Sequence, residues 1–124
     1  MGGAMSRRKG ISYEREIASR FTEALHHKFS RVLSETRDGN SGDIVCDNGK
    51  IPFVIQCKNR KAHRPDVAWY EAEIIARAQI LYPIAVLRYG LKKGSPFRPV
   101  DLVVIELDDF LELCALIRAG GMWS

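Results

Sequence analysis

Apolar residues recur at every fourth position between residues 12 and 27, and this spacing predicts the first helix of the chain. Tyr13, Ile17, Phe21 and Leu25 would share one side of that helix, because an α-helix repeats every 3.6 residues. Ser12 suits the N-cap, since its hydroxyl can accept a hydrogen bond from a backbone N–H of the first turn. We therefore expect a helix over residues 12–27 with one core-facing stripe.

Beyond this helix the apolar runs become short and are separated by turn-forming residues. Short runs of this kind are typical of strands, whereas longer periodic segments indicate helices. The predicted order α-β-β-β-α-β-β-α places the chain in the α/β class, with a central mixed sheet flanked by helices. After the first helix we expect strands 29–36, 43–46 and 51–58, helix 67–81 with Asp66 as N-cap, strands 84–89 and 102–107, and helix 109–119 with Asp108 as N-cap, ending at Gly120-Gly121.

The second and third strands are predicted to form a β-hairpin. Asn48 and Gly49 lie between two apolar runs, and Asn-Gly is typical of a two-residue hairpin turn. With that turn, Asp43 pairs with Val54, and Asp43 and Gln56 are diagonal neighbours whose Cβ atoms lie roughly 7–8 Å apart.

Side chains alternate between the two faces of a strand, so this hairpin should have one apolar and one polar face. The apolar, core-side face carries Ile44, Cys46, Ile51, Phe53, Ile55 and Cys57, and the other carries Asp43, Gln56 and Lys58 beside Val45 and Val54. Two oxygen ligands and an ammonium suit phosphodiester hydrolysis. A bound cation polarises the phosphoryl oxygen and activates water, while the ammonium stabilises developing charge. Alternatively, Asp43 caps a turn, and Gln56 and Lys58 merely face solvent.

Composition limits the remaining possibilities. A chain of 124 residues suits one domain, which we place at residues 7–120, between a flexible leader (1–6) and a short tail (121–124). Three cysteines without CxxC spacing indicate neither a disulfide framework nor a zinc ribbon and fit a reducing cytoplasm. The longest apolar stretch, residues 74–87, is interrupted by polar residues and a proline, so we expect no membrane association.

The net charge of +4 is modest, but the basic residues are clustered. One cluster, residues 58–64, follows directly from the hairpin strand that carries Gln56 and Lys58. Positive surface of this kind attracts a polyphosphate such as DNA. Each cluster taken alone is also compatible with an ordinary solvated surface.

Four motifs in the chain, in the right order, resemble those of the PD-(D/E)XK nucleases. Residues 42–44 and 54–58 are similar to the GD(I/V)…(E/Q)xK core, and residues 9–16 to the KGxxxERE segment of archaeal Holliday-junction resolvases and small phage-encoded relatives. Residues 66–69 and 83–86 resemble the second helix and following strand of the same group. The resemblance covers nearly all of residues 7–112 and implies a restriction-endonuclease-like fold and cleavage of DNA.

The resemblance also implies roles for individual residues. Glu14, Asp43 and Gln56 would hold one or two magnesium ions, with manganese as a possible substitute, and the backbone carbonyl of Cys57 would be an additional ligand. Lys58 would act on the attacking water or the scissile phosphate. Gln56 departs from the commoner pattern, because its amide offers an oxygen without charge. The alternative for Glu14 is a first-turn acid that interacts with the helix dipole.

Five residues are expected to contact DNA phosphates, and such contacts position a substrate without reading bases. These are Arg37, Ser41, Arg60, Lys61 and Arg64. We therefore expect a structure- or strand-selective endonuclease, related to resolvases or phage nickases, acting in the cytoplasm as a homodimer that cuts two strands symmetrically. Two alternatives remain open: a catalytically weak DNA-binding module, and a structural subunit of a recombination or packaging machine.

Overall fold

A computed structural model describes residues 3–32, 43–60, 62–77, 80–90, 93–94, 96 and 98–120, without the side chains of residues 3–7 and 43. Within these ranges the elements follow the predicted order. They are α1 (Gly3–Leu25), β1 (Phe29–Val32), β2 (Asp43–Cys46), β3 (Phe53–Lys58), α2 (Pro65–Ala76), β4 (Tyr82–Tyr89), β5 (Val100–Ile105) and α3 (Leu107–Arg118).

The five strands form one mixed sheet in the order β1-β2-β3-β4-β5. β3 and β4 are parallel, and the other neighbouring strands are antiparallel. A parallel pair needs a crossover connection, and α2 lies in that connection. The predicted α/β class with a mixed sheet is confirmed, and the architecture is compatible with the restriction-endonuclease-like fold.

Helix α1 covers one face of the sheet. Its residues Tyr13 and Ile17 are 2% exposed and pack in one cluster with Ile44 of β2 and Ile55 of β3. Phe21 and Leu25 pack against the same cluster, so the predicted apolar stripe is confirmed. Two buried and two partly buried apolar side chains thus hold the helix on the sheet.

The opposite face of the hairpin, predicted to be polar, is covered by α2. Val54 is fully buried against Ala72 and Ala76, while Ala68 packs against Ala85 and Leu87 of β4. Gln56 is only 4% exposed, so the alternative that it faces solvent is wrong. The sequence did not indicate this covering, because the hairpin pattern involves two strands only, whereas the covering comes from the crossover helix that a parallel β3–β4 pair requires.

The hairpin register also differs from the prediction. Asp43 is paired with Gln56, Ile44 with Ile55 and Val45 with Val54, so the pairing is shifted by two residues and Asp43 lies directly opposite Gln56. The connection runs from residue 47 to 52, because β3 begins only at Phe53. Its Pro52 has no N–H to donate to a strand ladder.

Helix α1 begins nine residues before the predicted start, at Gly3 rather than Ser12, so Ser12 is not its N-cap. The helix starts inside the segment that we expected to be a leader, while the proposed division of the chain into leader, domain and tail remains a prediction. Glu14 consequently lies in the middle of the helix. The alternative that Glu14 serves the dipole of the first turn is wrong.

The predicted caps of the other two helices are also wrong. The N-caps are Arg64 for α2, which begins at Pro65, and Glu106 for α3. Asp66 and Asp108 lie in the first turns instead, where a negative charge still favours the helix dipole. The predicted end of α3 is confirmed, since Gly120 follows it with a φ of 74°, a conformation typical of a glycine after a helix.

Polar contacts tie α1 to the far edge of the sheet. Asp101 of β5 accepts hydrogen bonds from Tyr13 Oη at 2.6 Å, Arg20 Nη1 at 2.6 Å and Arg88 Nε at 3.0 Å. Arg88 also pairs with Glu16. Partial burial opposes the charge of Asp101, but the hydrogen bonds from Arg88 and Tyr13 hold its pKa below the ordinary value. No helix in the described ranges is long and apolar enough to span a bilayer.

Candidate nuclease site

The backbone of β2 and β3 brings three of the predicted site residues to one end of the sheet. Asp43 is the first residue of β2 and is paired with Gln56. Lys58, two residues farther along β3, ends that strand on the same face as Gln56. The side chain of Asp43 is outside the described part of the structure, so its position is fixed here only through the backbone.

Glu14 is held by a buried ion pair. Its Oε1 accepts a hydrogen bond from Arg31 Nε of β1 at 2.5 Å, and the two side chains are 10% and 16% exposed. A carboxylate beside an apolar stripe needs a partner, and in this structure the partner is Arg31. The sequence does not indicate this pairing, because Glu14 and Arg31 come together only when α1 packs on β1.

Glu14 and Lys58 lie on opposite faces of the sheet. The charge of Glu14 adds to the effect of burial, which raises the pKa of the Cys57 thiol well above its ordinary value. Glu14 is on α1, which packs on the face of the sheet that carries Cys57, whereas alternation places Gln56 and Lys58 on the α2 side. A thiol with a raised pKa is a poor nucleophile, and the role expected for the Cys57 backbone carbonyl stays a prediction.

Lys58 has an acidic partner that the sequence did not indicate. Its Nζ lies 2.7 Å from Oε2 of Glu71 on α2, and the side chains are 16% and 43% exposed. Glu71 was missed because its approach to Lys58 depends on how α2 is seated on the sheet. The available signal was the four-residue repeat Ala68, Ala72 and Ala76, which marks the sheet-facing side of that helix.

The basic loop after β3 is anchored beside this end of the sheet. Nε2 of His63 donates a hydrogen bond to the backbone carbonyl of Arg88 at 2.6 Å. Arg60 and Arg64 are exposed, and the 3.8 Å contact of Arg64 with Asp66 is between two side chains that are each 77% exposed. Such an exposed pair leaves Arg64 available to another anion. The predicted DNA contacts Arg37, Ser41 and Lys61 lie outside the described residues.

The donor set of this region fits a hard divalent cation in chemistry. Magnesium prefers oxygen ligands, and the candidates are the carboxylates of Glu14 and Asp43, the amide oxygen of Gln56 and the Cys57 carbonyl. Among the described side chains, no group of three or more His, Cys, Asp and Glu residues gathers as a metal site. The fit consequently depends on the amide, the carbonyl and Asp43, whose side chain is not described.

Comparison with known protein families gives a match over residues 5–67, just over half of the chain, to the family described as "Phage putative PDDEXK endonuclease". The matched segment contains the four residues predicted to be catalytic, Glu14, Asp43, Gln56 and Lys58. The comparisons with curated proteins and with solved structures found no match. The family match supports the PD-(D/E)XK part of the predicted resemblance, and the chain belongs to the phage PDDEXK endonuclease family.

Proposed function

We propose that the protein is a divalent-metal-dependent endonuclease that hydrolyses phosphodiester bonds in DNA. The observation that carries the proposal is the meeting of Asp43, Gln56 and Lys58 at one end of the β2–β3 pair, within the segment that matches the endonuclease family. A lysine beside oxygen ligands is the arrangement that phosphodiester hydrolysis needs, since a pentacovalent phosphorus carries negative charge on its non-bridging oxygens.

The oxygens of Asp43 and Gln56 would hold magnesium, for which manganese can substitute, together with the backbone carbonyl of Cys57. When bound, the cation polarises the phosphoryl oxygen and lowers the pKa of a coordinated water. Lys58 would orient the attacking water or stabilise the scissile phosphate. Its side chain is only 16% exposed and its Nζ is paired with Glu71, so its ammonium has few alternative positions.

Glu14 would join the site from the other side of the sheet. Backbone carbonyls of a strand lie in the plane of the sheet, so side chains from both faces could join the Cys57 carbonyl in holding an ion. Glu14 is on α1, which packs on the face that carries Cys57, and it would have to exchange part of its interaction with Arg31 for the ion. This exchange makes Glu14 a ligand whose contribution depends on Arg31.

The proposed substrate is DNA recognised through its backbone. Arg60 and Arg64 are exposed near the site, and Lys61, Arg37 and Ser41 would add phosphate contacts. Because phosphate contacts carry no base information, we propose selectivity for DNA structure or strand, as in the Holliday-junction resolvases, rather than for sequence. The protein would act in the cytoplasm of a bacterial, archaeal or phage-infected cell.

The decisive experiment is a cleavage assay on supercoiled plasmid, single strands, flaps and four-way junctions, with magnesium or with chelator. Asp43→Asn should lower the rate by about three decades, or about 4 kcal/mol of transition-state stabilisation. Asp47→Asn is the matched control, because Asp47 is an exposed residue of the same hairpin. Undiminished cutting by Asp43→Asn, or by the unaltered protein in chelator, contradicts the proposal.

A second candidate is a DNA-binding module with weak turnover. Gln56 in place of an acid and the ion pairs that engage Glu14 and Lys58 favour it. The same assay separates the two, since this candidate retains DNA binding without metal-dependent cleavage. A purely structural subunit of a recombination or packaging machine would show neither.

We also propose that two copies associate through α3. Leu107, Phe110, Leu111 and Ile117 are each more than half exposed and follow one side of this helix. Exposed apolar patches of this kind mark interaction surfaces. The acidic first turn and the terminal Arg118 give α3 opposite charges at its two ends, so a second copy packed antiparallel on a two-fold axis is electrostatically complementary.

A further inference from the structure

We propose that Glu71 of α2 is a further ligand of the cation site and supplies the negative charge that Gln56 lacks. The inference rests on the proposed metal-dependent function and extends it by one residue. Glu71 lies outside residues 5–67, the segment that matches the endonuclease family, and on the helix that follows the basic loop.

The seating of α2 places Glu71 above the Asp43–Gln56 backbone pair. Ile75 and Val45 both pack against the cluster that contains Val54, and Val45 and Val54 form the neighbouring pair in the same register. Stepping from Ile75 to Glu71 moves about 6 Å along the helix, since each residue rises about 1.5 Å. Stepping between the two strand pairs covers about 6.6 Å, since each strand residue rises about 3.3 Å.

The two steps also run in the same direction. Ala76 packs at the level of Val54, whereas Ala68 packs against Leu87, the residue paired with Lys58. Helix α2 therefore runs back along β3, and going toward its N-terminus means going toward Lys58. The 2.7 Å contact between Glu71 and Lys58 agrees with this placement.

Charge balance requires another carboxylate on this face. One negative charge from Asp43 is offset by the positive charge of Lys58, and Gln56 contributes none. On the other face, Glu14 is already paired with Arg31. Without a further acid, a divalent cation would enter a site with no net charge, which offers little compensation for the loss of hydration. Glu71 makes the local charge negative.

Glu71 would in addition hold Lys58 in place. An ammonium and a carboxylate at 2.7 Å form a charge-assisted hydrogen bond, and a carboxylate has two oxygens. One oxygen can hold the lysine while the other faces the ion. If the contact of Glu71 with Lys58 were an ordinary surface ion pair, it would contribute little to stability. Removing the charge of Glu71 would then leave metal binding unchanged, whereas a ligand role predicts weaker binding.

The test measures manganese binding directly, by the electron paramagnetic resonance signal of free Mn²⁺, with the full chain and without DNA. Glu71→Gln should raise the dissociation constant roughly tenfold or more, because it removes a charge next to a dication. Glu73→Gln is the matched control, since Glu73 is on the same helix but pairs with Arg77 at 2.6 Å. It should bind manganese as the unaltered protein does.

A rescue variant separates a ligand from a merely structural residue. If Glu71 supplies the missing charge, Gln56→Glu in the Glu71→Gln background should restore most of the affinity, whereas a structural defect in α2 would persist. Equal manganese binding by Glu71→Gln and the unaltered protein, with binding lost in Asp43→Asn, overturns the inference and leaves the proposed function standing. No manganese binding by the unaltered protein overturns both.

Discussion

Removal of Arg31 should destabilise the fold strongly, because it leaves a buried carboxylate without its partner. The Arg31 Nε and Glu14 Oε1 atoms are 2.5 Å apart, and both side chains are at least four-fifths buried. Breaking such a pair from one side costs about 3–5 kcal/mol, whereas replacing both partners by apolar residues is close to neutral. Arg31→Met should therefore be severe, and Arg31→Met combined with Glu14→Leu should recover most of the loss.

The expected effect is large in relation to the total stability. Domains of this size have unfolding free energies of about 5–15 kcal/mol, and urea m values of about 1–3 kcal/mol per molar. A loss of about 3–5 kcal/mol lowers the urea midpoint by roughly 2 M at an intermediate m value of about 2 kcal/mol per molar. In the control, Arg77→Met breaks an exposed pair with Glu73 and should cost less than about 1 kcal/mol.

Urea unfolding followed by circular dichroism measures these differences, first in chelator. A decrease of less than about 1 kcal/mol in the free energy of unfolding for Arg31→Met would refute the argument that the buried carboxylate of Glu14 needs Arg31 as its partner. Magnesium provides a second readout. If Glu14 is a ligand, magnesium should stabilise Arg31→Met more than it stabilises the unaltered protein, because the carboxylate no longer has to leave Arg31. Equal stabilisation would remove Glu14 from the proposed site.

Three further predictions concern other parts of the protein. Neutralising Arg60, Lys61 and Arg64 together should weaken binding to all DNA sequences alike and flatten the log–log salt dependence by roughly 0.9 per lost contact; unchanged binding in a salt titration would leave the loop as solvated surface. Asp101→Asn should destabilise the fold at neutral pH, and the difference should shrink as the pH falls below about 3.9, since the stability from a depressed pKa is complete above the unfolded-state pKa and is lost as the pH falls toward the folded-state pKa; a pH-independent difference in urea unfolding would contradict this. Phe110→Glu should convert a dimer to a monomer in analytical ultracentrifugation without loss of helicity, and a persistent dimer would exclude α3 as its interface.

The sequence predicted features that depend on short-range chemistry. The helical stripe of α1, the order of all the described elements and the end of α3 at Gly120 follow from periodicity and from glycine after a helix. The motif residues Asp43, Gln56 and Lys58 could also be placed on one face of the β2–β3 hairpin. A register shift of two residues preserves the faces, so this assignment survived the wrong turn.

The sequence could not predict features that depend on packing between distant elements. The pairing of Glu14 with Arg31 and of Lys58 with Glu71 requires two helices to be seated on opposite faces of the sheet. The covering of Val54 and Gln56 by α2 has the same origin. The start of α1 was missed because residues 3–11 carry little apolar periodicity, so their helical state could not be read from a stripe.

The hydrogen bonds of Asp101 have a consequence for how the chain folds. Tyr13 and Arg20 lie 88 and 81 residues before Asp101, so these contacts close long loops, which slows folding. During synthesis, β5 leaves the ribosome only after α1, the β2–β3 hairpin and α2. A fragment ending after α2 contains the whole endonuclease motif, yet it leaves Tyr13, Glu16 and Arg20 without the groups that hold them. Strands β4 and β5 therefore supply the polar partners of the helix segment around Glu14.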